Sequence, residues 1–167
     1  MAKISLIFVI TFFFSQTLIC EEIFGTPKII DGDTVHIYSK KIRLEGIDAP
    51  EIEQQCKKPF IKISSVIGFQ FNKNYSCGVM AKIKLIDKID NSKIKCISSS
   101  KDRYNRFIAT CYQDKINLNK WMVRNGYAIA YKRYSKEYVR DEKYAKENQL
   151  GIWKGTFITP EKWRKLN

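Results

Sequence analysis

The sequence contains very little histidine and no closely spaced pair of cysteines. His36 is the only histidine among 167 residues, and none of the five cysteines belongs to a Cys-x-x-Cys pair. Ordinary zinc sites need such spacings. The sequence therefore offers no conventional zinc centre, and His36, at an outward position of a predicted strand, is expected to be solvated rather than catalytic.

Long apolar segments are also scarce. The only extended one, residues 4–14, follows a single lysine and is too short to span a bilayer comfortably. A positive charge followed by such a block is typical of a secretory signal, with cleavage after Thr17 or Cys20. We therefore predict a signal peptide in residues 1–20, with an uncleaved anchor as the alternative, and one domain in residues 21–167.

Acidic residues are far outnumbered by basic ones. The chain has 30 Lys and Arg against 17 Asp and Glu, a net charge of +13, and loss of the signal peptide would remove only Lys3 and leave +12. Excess positive charge attracts polyanions, so nucleic acid or an anionic membrane is the expected partner. A basic protein from a lysine-rich proteome is the alternative, and charge alone indicates no chemistry.

An even number of cysteines, four, follows the signal peptide. In an exported chain this favours two disulfides over metal binding, with three possible connectivities. Cys96 and Cys111 lie symmetrically about the polar segment 101–106, so a hairpin would place them opposite each other. By elimination, Cys56 would then pair with Cys77.

The hydrophobic pattern predicts a mainly β protein of the α+β class. Alternating apolar residues predict five short strands, at residues 27–30, 34–39, 41–46, 94–99 and 107–112. Helical spacing predicts helices at residues 76–89, 117–125 and 136–150, while the polar residues 50–75 are predicted to form a long loop. Such elements fit a five-stranded OB-type β-barrel with about three helices.

The first helix, residues 76–89, carries its own prediction. Val79, Ile83 and Ile86 share one face, with lysines on the rest, so this face is expected to pack on the core. Ser76 is the predicted N-cap.

Two acidic segments flank the predicted β-hairpin. Asp33 belongs to Asp-Gly-Asp-Thr, and Asp48 and Glu51 belong to Asp-Ala-Pro-Glu. The hairpin returns the chain, so that Asp33 and Asp48 can converge. Two adjacent carboxylates repel unless a cation lies between them, and oxygen-only ligation suits Ca²⁺ or Mg²⁺. Either segment alone is more typical of a turn.

Together these segments resemble the staphylococcal nuclease (thermonuclease) family. The match extends in order from about Phe24 to Trp153, nearly the whole predicted mature chain. Its segments are Asp31-Gly32-Asp33-Thr34, Arg43-Leu44, Asp48-Ala49-Pro50-Glu51, Asp102-Arg103-Tyr104-Asn105-Arg106, Asn125-Gly126-Tyr127-Ala128 and Leu150-Gly151-Ile152-Trp153.

The resemblance implies a metal site and a phosphate site. One Ca²⁺ would be bound by Asp33, Asp48 and the backbone carbonyl of Ala49, which stands where the family often has threonine. Arg43 and Arg106 would bind the phosphate, because a guanidinium group can donate two parallel hydrogen bonds to phosphate oxygens.

The resemblance also implies that Glu51 acts on the attacking water, and that cleavage of the 5′ P–O bond leaves 3′-phosphates.

Interleaved aromatic and basic residues suggest contacts to nucleic acid by Tyr104, Tyr131, Lys132 and Arg133. Packing of these tyrosines between helix and barrel is the alternative.

The resulting prediction is a secreted, calcium-dependent nuclease acting on DNA, with RNA as a second candidate substrate. We expect a monomer that is exported, whether secreted, periplasmic or at the cell surface, with no stable membrane partner after signal cleavage. A non-catalytic nucleic-acid-binding OB barrel is the alternative, and a basic membrane-surface or cell-wall protein is a third possibility.

Overall fold

The computed structural model describes residues 20–63 and 69–167. Most of the predicted signal peptide, residues 1–19, lies outside the described residues, as do residues 64–68 of the predicted loop. The strands are β1 (Glu21–Gly25), β2 (Lys28–Ile29), β3 (Thr34–Ile37), β4 (Lys40–Leu44), β5 (Ile47–Asp48), β6 (Gln55–Ile63), β7 (Phe69–Ser76), β8 (Ile94–Lys101), β9 (Phe107–Gln113), β10 (Ile116–Asn117) and β11 (Ile129–Ala130). The helices are α1 (Cys77–Ile89), α2 (Leu118–Arg124), α3 (Val139–Glu147) and α4 (Pro160–Leu166), with a 3₁₀ turn at Gly151–Lys154.

The main sheet has seven strands in the order β1-β8-β9-β4-β3-β2, with β10 paired to β9. Only the β4–β9 pair of this sheet is parallel. The sheet curls into a half-barrel, and β5–β11 and β6–β7 form two small separate ribbons. The predicted α+β, OB-type fold is confirmed, and the five predicted strands correspond to β2, β3, β4, β8 and β9.

The core fills the concave side of the half-barrel. Alternate residues of β3 and β4 are buried there, and α1 and α2 close the open side. The largest fully buried aliphatic side chains of this core are Ile37, Ile42, Leu44, Ile47, Leu85, Ile94 and Leu118, and Ile152 is equally buried in a second, smaller cluster. Each contributes about 1.5 to 3 kcal/mol by leaving water, so the strands that carry the acidic and arginine motifs are also the best anchored.

The predicted buried face of α1 is wrong. Val79, Ile83 and Ile86 are exposed, while the helix buries Ala81 and Leu85, together with Cys77, Gly78 and Ile89. Small residues at the contact let the helix approach the backbone beneath it, which a count of large apolar residues does not detect.

Ser76 occupies the N-cap position of α1, but its side chain makes no capping hydrogen bond. Its hydroxyl instead accepts from Gln55 Nε2 at 2.9 Å. The start of the helix is therefore tied to β6.

The predicted loop at residues 50–75 is wrong in its larger part, because β6 and β7 form an antiparallel hairpin there. The described side chains of this ribbon are mostly exposed on both faces. A ribbon that buries neither face shows no alternation of apolar and polar residues, so its sequence looks like a loop.

Two disulfides join the cysteines in the predicted pairs. Cys96 lies opposite Cys111 across β8 and β9, with Cα atoms 4.0 Å apart. Cys56 of β6 is joined to Cys77 at the start of α1, with Cα atoms 5.6 Å apart. The second bond fastens the base of the hairpin to the barrel.

Two glycines explain why the segments around residues 126 and 151 stand out in the sequence. Gly126 and Gly151 both adopt positive φ, and a Cβ on Gly151 would lie 2.0 Å from the Gly126 carbonyl oxygen. Only glycine permits this contact without strain. The two turns thus pack on each other and hold the 3₁₀ turn against the barrel.

The last helix, α4, was not predicted. It has seven residues, begins with Pro160 after an extended Thr159, and carries Glu161 in its first turn and two basic residues in its last. Proline at the first position and this charge order favour a helix, but so short and polar a segment has no periodic signature. No helix among the described residues is long and apolar enough to cross a bilayer.

Candidate active site

The two arginines of the sequence motifs lie on neighbouring strands. β4 and β9 run parallel, and Arg43 lies opposite Ile108 in their register. Arg106 precedes Ile108 by two positions, and side chains two apart on extended backbone project to the same side. Both arginines line one cleft of about 1140 Å³. The curled sheet therefore presents two guanidinium groups to the same cavity.

Asp33 is buried in the turn that joins β2 to β3. Its backbone N–H donates to Asp31 Oδ1 at 2.9 Å, and its carbonyl accepts from Leu44 N at 2.8 Å. Its carboxylate accepts from Ala49 N at 2.7 Å and from Thr34 Oγ1 at 3.2 Å. One carboxylate thus joins the first acidic segment to the second.

Asp48 lies in β5 and is fully buried. Its backbone is held by β11, where Ile129 is its partner. Arg43 Nη2 donates to Asp48 Oδ1 at 2.9 Å, and Arg43 Nη1 forms an ion pair with Asp33. Arg43 therefore bridges the two acids that the sequence predicted to converge.

The burial of these acids raises their pKa values. Burial raises the pKa of Asp33 to about 6, although the nearby Arg43 opposes the shift. Burial also raises the pKa of Asp48, against hydrogen bonds from Arg164. For Arg43, burial lowers the pKa, but the two carboxylates outweigh it and the net shift is upward. One arginine therefore leaves the negative charge of the pair incompletely compensated.

Glu51 lies in the loop after β5, with its side chain partly exposed at the cleft. Its backbone N–H donates to Gln54 Oε1 at 3.3 Å, and Gln54 is buried, with Nε2 donating to the Ile158 carbonyl at 2.6 Å. A Cβ on Gly78 would lie 1.7 Å from the Glu51 carbonyl oxygen. The backbone of Glu51 is thus fixed between α1 and the C-terminal segment.

Arg106 is oriented by Asp102. The Asp102 carboxylate accepts from Arg106 Nε at 2.8 Å and from the backbone N–H groups of Tyr104 and Arg106 at 2.9 Å each. Burial raises the pKa of Asp102, but the hydrogen bonds from Arg106 and Tyr104 lower it by more. The segment 102–106 is therefore a turn closed by one ionised carboxylate, which aims the arginine.

A third arginine, Arg164 of α4, also reaches the site. Arg164 Nη1 donates to Glu51 Oε1 at 2.6 Å and to Asp48 Oδ1 at 3.0 Å, while Nη2 donates to Asp48 Oδ2 at 3.1 Å. The two carboxylates raise its pKa, although burial opposes the shift. Sequence reasoning missed this residue, because no motif surrounds it and it lies 113 positions after Glu51.

Of the four residues predicted to contact nucleic acid, three line the cleft and Lys132 does not. Tyr104, Tyr131 and Arg133 line the cleft, and Tyr104 is exposed, with the Arg106 guanidinium carbon 5.6 Å from its ring centroid. Lys132 is not among the lining residues, and its ammonium group pairs with Glu142 at 2.7 Å.

The cleft combines an acidic centre with a basic wall. Its lining residues include seven Lys or Arg and four Asp or Glu. Glu45 lines the cleft and is exposed, while His36 is half-buried on β3. The basic excess favours a polyanionic substrate.

The candidate cation ligands are two carboxylates and one backbone carbonyl. Asp33 and Asp48 are joined through Arg43, and Ala49 is hydrogen-bonded to Asp33. In the part of the chain that the structure describes, no three His, Cys, Asp or Glu residues lie together as a metal cluster. Oxygen donors of this kind are those that Ca²⁺ prefers, with water completing the shell.

Comparison with known proteins identifies the family. The family model described as "Staphylococcal nuclease homologue" matches residues 41–155. An uncharacterized endonuclease of Haemophilus influenzae is 32% identical over 146 residues, which cover 83% of this chain and 70% of the relative. The succinoglycan biosynthesis protein ExoI of Rhizobium meliloti is 31% identical over 137 residues, 80% of this chain and 66% of the relative.

A micrococcal nuclease of Shigella flexneri is 28% identical over 158 residues, covering 84% of this chain and 79% of the relative. The matched region contains Arg43, Asp48, Glu51 and Arg106 and every strand from β5 to β11. The chain therefore belongs to the staphylococcal nuclease family and is a phosphodiester hydrolase of the nuclease type.

Proposed function

We propose that the protein is a secreted, calcium-dependent nuclease that hydrolyses phosphodiester bonds of DNA and of RNA. One observation carries the proposal: Arg43 and Arg106 face the same cleft as Glu51, above a buried pair of carboxylates. By resemblance to the family, cleavage would break the 5′ P–O bond and leave 3′-phosphates.

The residues present fit a hard divalent cation. Asp33 and Asp48 are buried oxygen donors, and burial raises the pKa of both carboxyls although Arg43, and for Asp48 also Arg164, opposes the shift. We propose that these two carboxylates and the Ala49 carbonyl hold one Ca²⁺. When bound, such a cation neutralises phosphate charge and makes a water molecule more acidic.

Arg43 and Arg106 are proposed to bind the phosphate that is cleaved. Phosphodiester hydrolysis gathers negative charge on the non-bridging oxygens, and two guanidinium groups on one wall can match them by two-pronged hydrogen bonds. Arg106 is preorganised by Asp102, whose carboxylate holds Nε at 2.8 Å and Nη2 at 2.7 Å while the side chain lines the cleft. Arg43 is held from behind by the two acids.

Glu51 is proposed to accept a proton from the attacking water or to orient it. Its carboxylate is partly exposed at the cleft, and its backbone is fixed on both sides, so the side chain is presented from a rigid loop. A general base must lie within hydrogen-bonding reach of the water it activates. Glu51 lines the same cleft as Arg43 and Arg106 and shares Arg164 with Asp48, and this placement supports the proposed role.

Tyr104, Tyr131 and Arg133 are proposed to hold the nucleotides next to the cleaved bond. An exposed tyrosine beside arginines suits base stacking combined with phosphate contact. Lys132 is proposed only as a contributor to the positive field, since Glu142 already pairs with it.

Export is supported by the apolar segment near the start of the sequence and by the two disulfides. Disulfides persist in oxidising compartments. We propose that residues 1–20 are removed and that the mature protein acts as a monomer outside the cytoplasm.

The test is release of acid-soluble nucleotides from DNA and from RNA, with calcium or with excess chelator. Asp48→Asn should abolish calcium-dependent release, whereas Asp87→Asn, an exposed carboxylate on α1, should leave it unchanged. Full activity in chelator would remove the calcium assignment. Binding of DNA without any hydrolysis would make the protein a binding barrel instead.

A further inference from the structure

The short helix α4 lies across the site by more than one contact. Pro160 is buried at its start, and Gln54 holds the preceding Ile158 carbonyl at 2.6 Å. Gln54 also accepts from the Glu51 backbone. The helix that carries Arg164 is therefore fastened to the same loop that carries Glu51.

Arginines already occupy most of the Asp48 carboxylate. Oδ1 accepts from Arg43 at 2.9 Å and from Arg164 at 3.0 Å, and Oδ2 accepts from Arg164 at 3.1 Å. Two carboxylate oxygens offer about four acceptor positions. Three are in use, and Arg164 accounts for two of them.

We propose that Arg164 competes with the divalent cation for Asp48, an inference that rests on the proposed cation site. A cation bound to Asp48 would place two positive charges beside the Arg164 guanidinium, where like charges repel. Arg164 holds Asp48 and Glu51 while the cation is absent and releases Asp48 when the cation binds. It is a positioning residue that sets the calcium affinity.

Calorimetric titration of calcium into the protein, without nucleic acid, tests this inference. Arg164→Gln should bind calcium about tenfold more tightly or better, since a charge-assisted pair no longer has to be broken. Lys165→Gln removes the same charge from the same helix, but Lys165 is 71% exposed and pairs with Glu161 at 3.1 Å. Its affinity should match the wild type.

Two further measurements distinguish the loss of the Arg164 contact from misfolding of the Arg164→Gln variant. Arg164→Lys keeps the charge and loses the two-pronged contact, so its calcium affinity should lie between those of the wild type and Arg164→Gln. Calcium should also speed amide hydrogen exchange in α4 of the wild type and leave Arg164→Gln unaffected.

Equal affinity in wild type and Arg164→Gln would overturn the inference and leave the cation site standing. Weaker binding by Arg164→Gln would also overturn it, because Arg164 would then support the ligands. No calcium binding by any variant would overturn the inference and the calcium assignment together, while nucleotide release would still report on hydrolysis separately.

A second inference comes from the hairpin of β6 and β7. The described residues 55–63 and 69–76 contain four lysines and no acid. The two strands pair with each other, and the one further backbone pairing among the described residues joins Lys57, near the base of the hairpin, to Thr156. Phe60 and Phe71 are 65% and 55% exposed. Lys73 lies over the Phe60 ring at 5.7 Å. The ribbon thus displays aromatic rings interleaved with positive charge.

The hairpin starts four positions after Glu51 and is covalently linked to α1 by the Cys56–Cys77 disulfide. Nine extended residues span about 30 Å. An arm of that length, anchored beside the site, can contact a polymer several nucleotides away from the cleaved bond.

The geometry points to this hairpin as a docking arm for single-stranded nucleic acid, and this inference also rests on the proposed function. Stacking rings between cationic side chains suit a strand that offers bases and phosphates alternately. The absence of acids along residues 55–76 makes the arm complementary to a polyanion.

The test is fluorescence anisotropy of a labelled single-stranded oligonucleotide of about 30 nucleotides in excess chelator, where the calcium-dependent cleavage is prevented. Phe60→Ala should weaken binding about fivefold or more, the value expected for one stacked base. Phe24→Ala is the matched control, since Phe24 is 56% exposed and has Lys93 over its ring at 5.8 Å.

Equal loss in the two variants, or no loss in Phe60→Ala, would overturn the docking arm while leaving hydrolysis untouched. If Phe60→Ala loses binding to anionic phosphatidylglycerol vesicles but keeps oligonucleotide binding, the hairpin binds a membrane surface and the docking arm is overturned. No oligonucleotide binding by the wild type would overturn the arm and weaken the proposed function itself.

Discussion

The buried Asp33 carboxylate should make stability fall as pH rises. Burial raises the pKa of Asp33 from 3.8 to about 6, so between these values the folded protein keeps a proton that the unfolded chain has released. Folding is then progressively less favourable as pH increases through that window. A shift of about two units corresponds to roughly 3 kcal/mol, fully lost above the folded-state pKa.

Replacing Asp33 with asparagine removes this titration, and Arg43 stays charged throughout. We expect the free energy of unfolding of Asp33→Asn, minus that of the wild type, to grow by roughly 3 kcal/mol from below pH 4 to pH 7. Urea unfolding at a series of pH values, in excess chelator, measures the difference. The ion pair with Arg43 forms only when Asp33 is ionised, so its contribution is already contained in the folded-state pKa and needs no separate correction.

Asp87→Asn provides the control, because its carboxylate is 54% exposed on α1 and pairs only with Lys84. Its difference from the wild type should not rise over the same window. A constant difference for Asp33→Asn would refute the reasoning, because it would mean that the folded protein ionises Asp33 as readily as the unfolded chain does.

The remaining predictions concern turnover, packing and the disulfides. Arg106→Lys should lower kcat on the order of 10² to 10³ fold with a smaller change in KM, because the two-pronged contact is lost; a raised KM at unchanged kcat would make Arg106 a docking residue. Gly78→Ala should lower both melting temperature and kcat, because its Cβ would meet the Glu51 carbonyl oxygen at 1.7 Å; unchanged kinetics would show that this loop can move freely. Replacing Cys96 and Cys111 together by alanine, which keeps Cys56–Cys77, should lower the free energy of unfolding in urea by about 2 to 5 kcal/mol, and equal stability would show that the Cys96–Cys111 disulfide contributes nothing.

The residues of the candidate site that could be predicted lie on or beside the barrel strands. Asp33, Arg43 and Asp48 are separated by short hairpin connections, so the chain must return them to one place. Strand alternation and turn length are local properties of a sequence, and they bring these three residues together. Arg106 was predicted from the family resemblance instead, because its place beside Arg43 depends on the long-range parallel pairing of β4 with β9.

The elements that escaped prediction are those whose formation depends on distant partners. The β6–β7 ribbon buries little, so no apolar alternation marks it, and the buried face of α1 includes the small residues Gly78 and Ala81 beside Leu85 and Ile89. In both cases hydrophobic periodicity was the wrong guide. Backbone pairing, a disulfide and close approach through Gly78 decide the structure there.

Arg164 shows most clearly why part of a site is invisible to sequence patterns. Its position depends on a chain of single contacts: Gln54 holds the Ile158 carbonyl, Pro160 is buried, and the helix then turns one guanidinium toward Asp48. None of these contacts repeats with a helical or strand period, and each joins residues about a hundred positions apart. A basic residue in a lysine-rich tail is ordinarily solvated. Buried Asp48 and partly exposed Glu51 together accept three hydrogen bonds from Arg164, and these two carboxylates draw this one arginine inward.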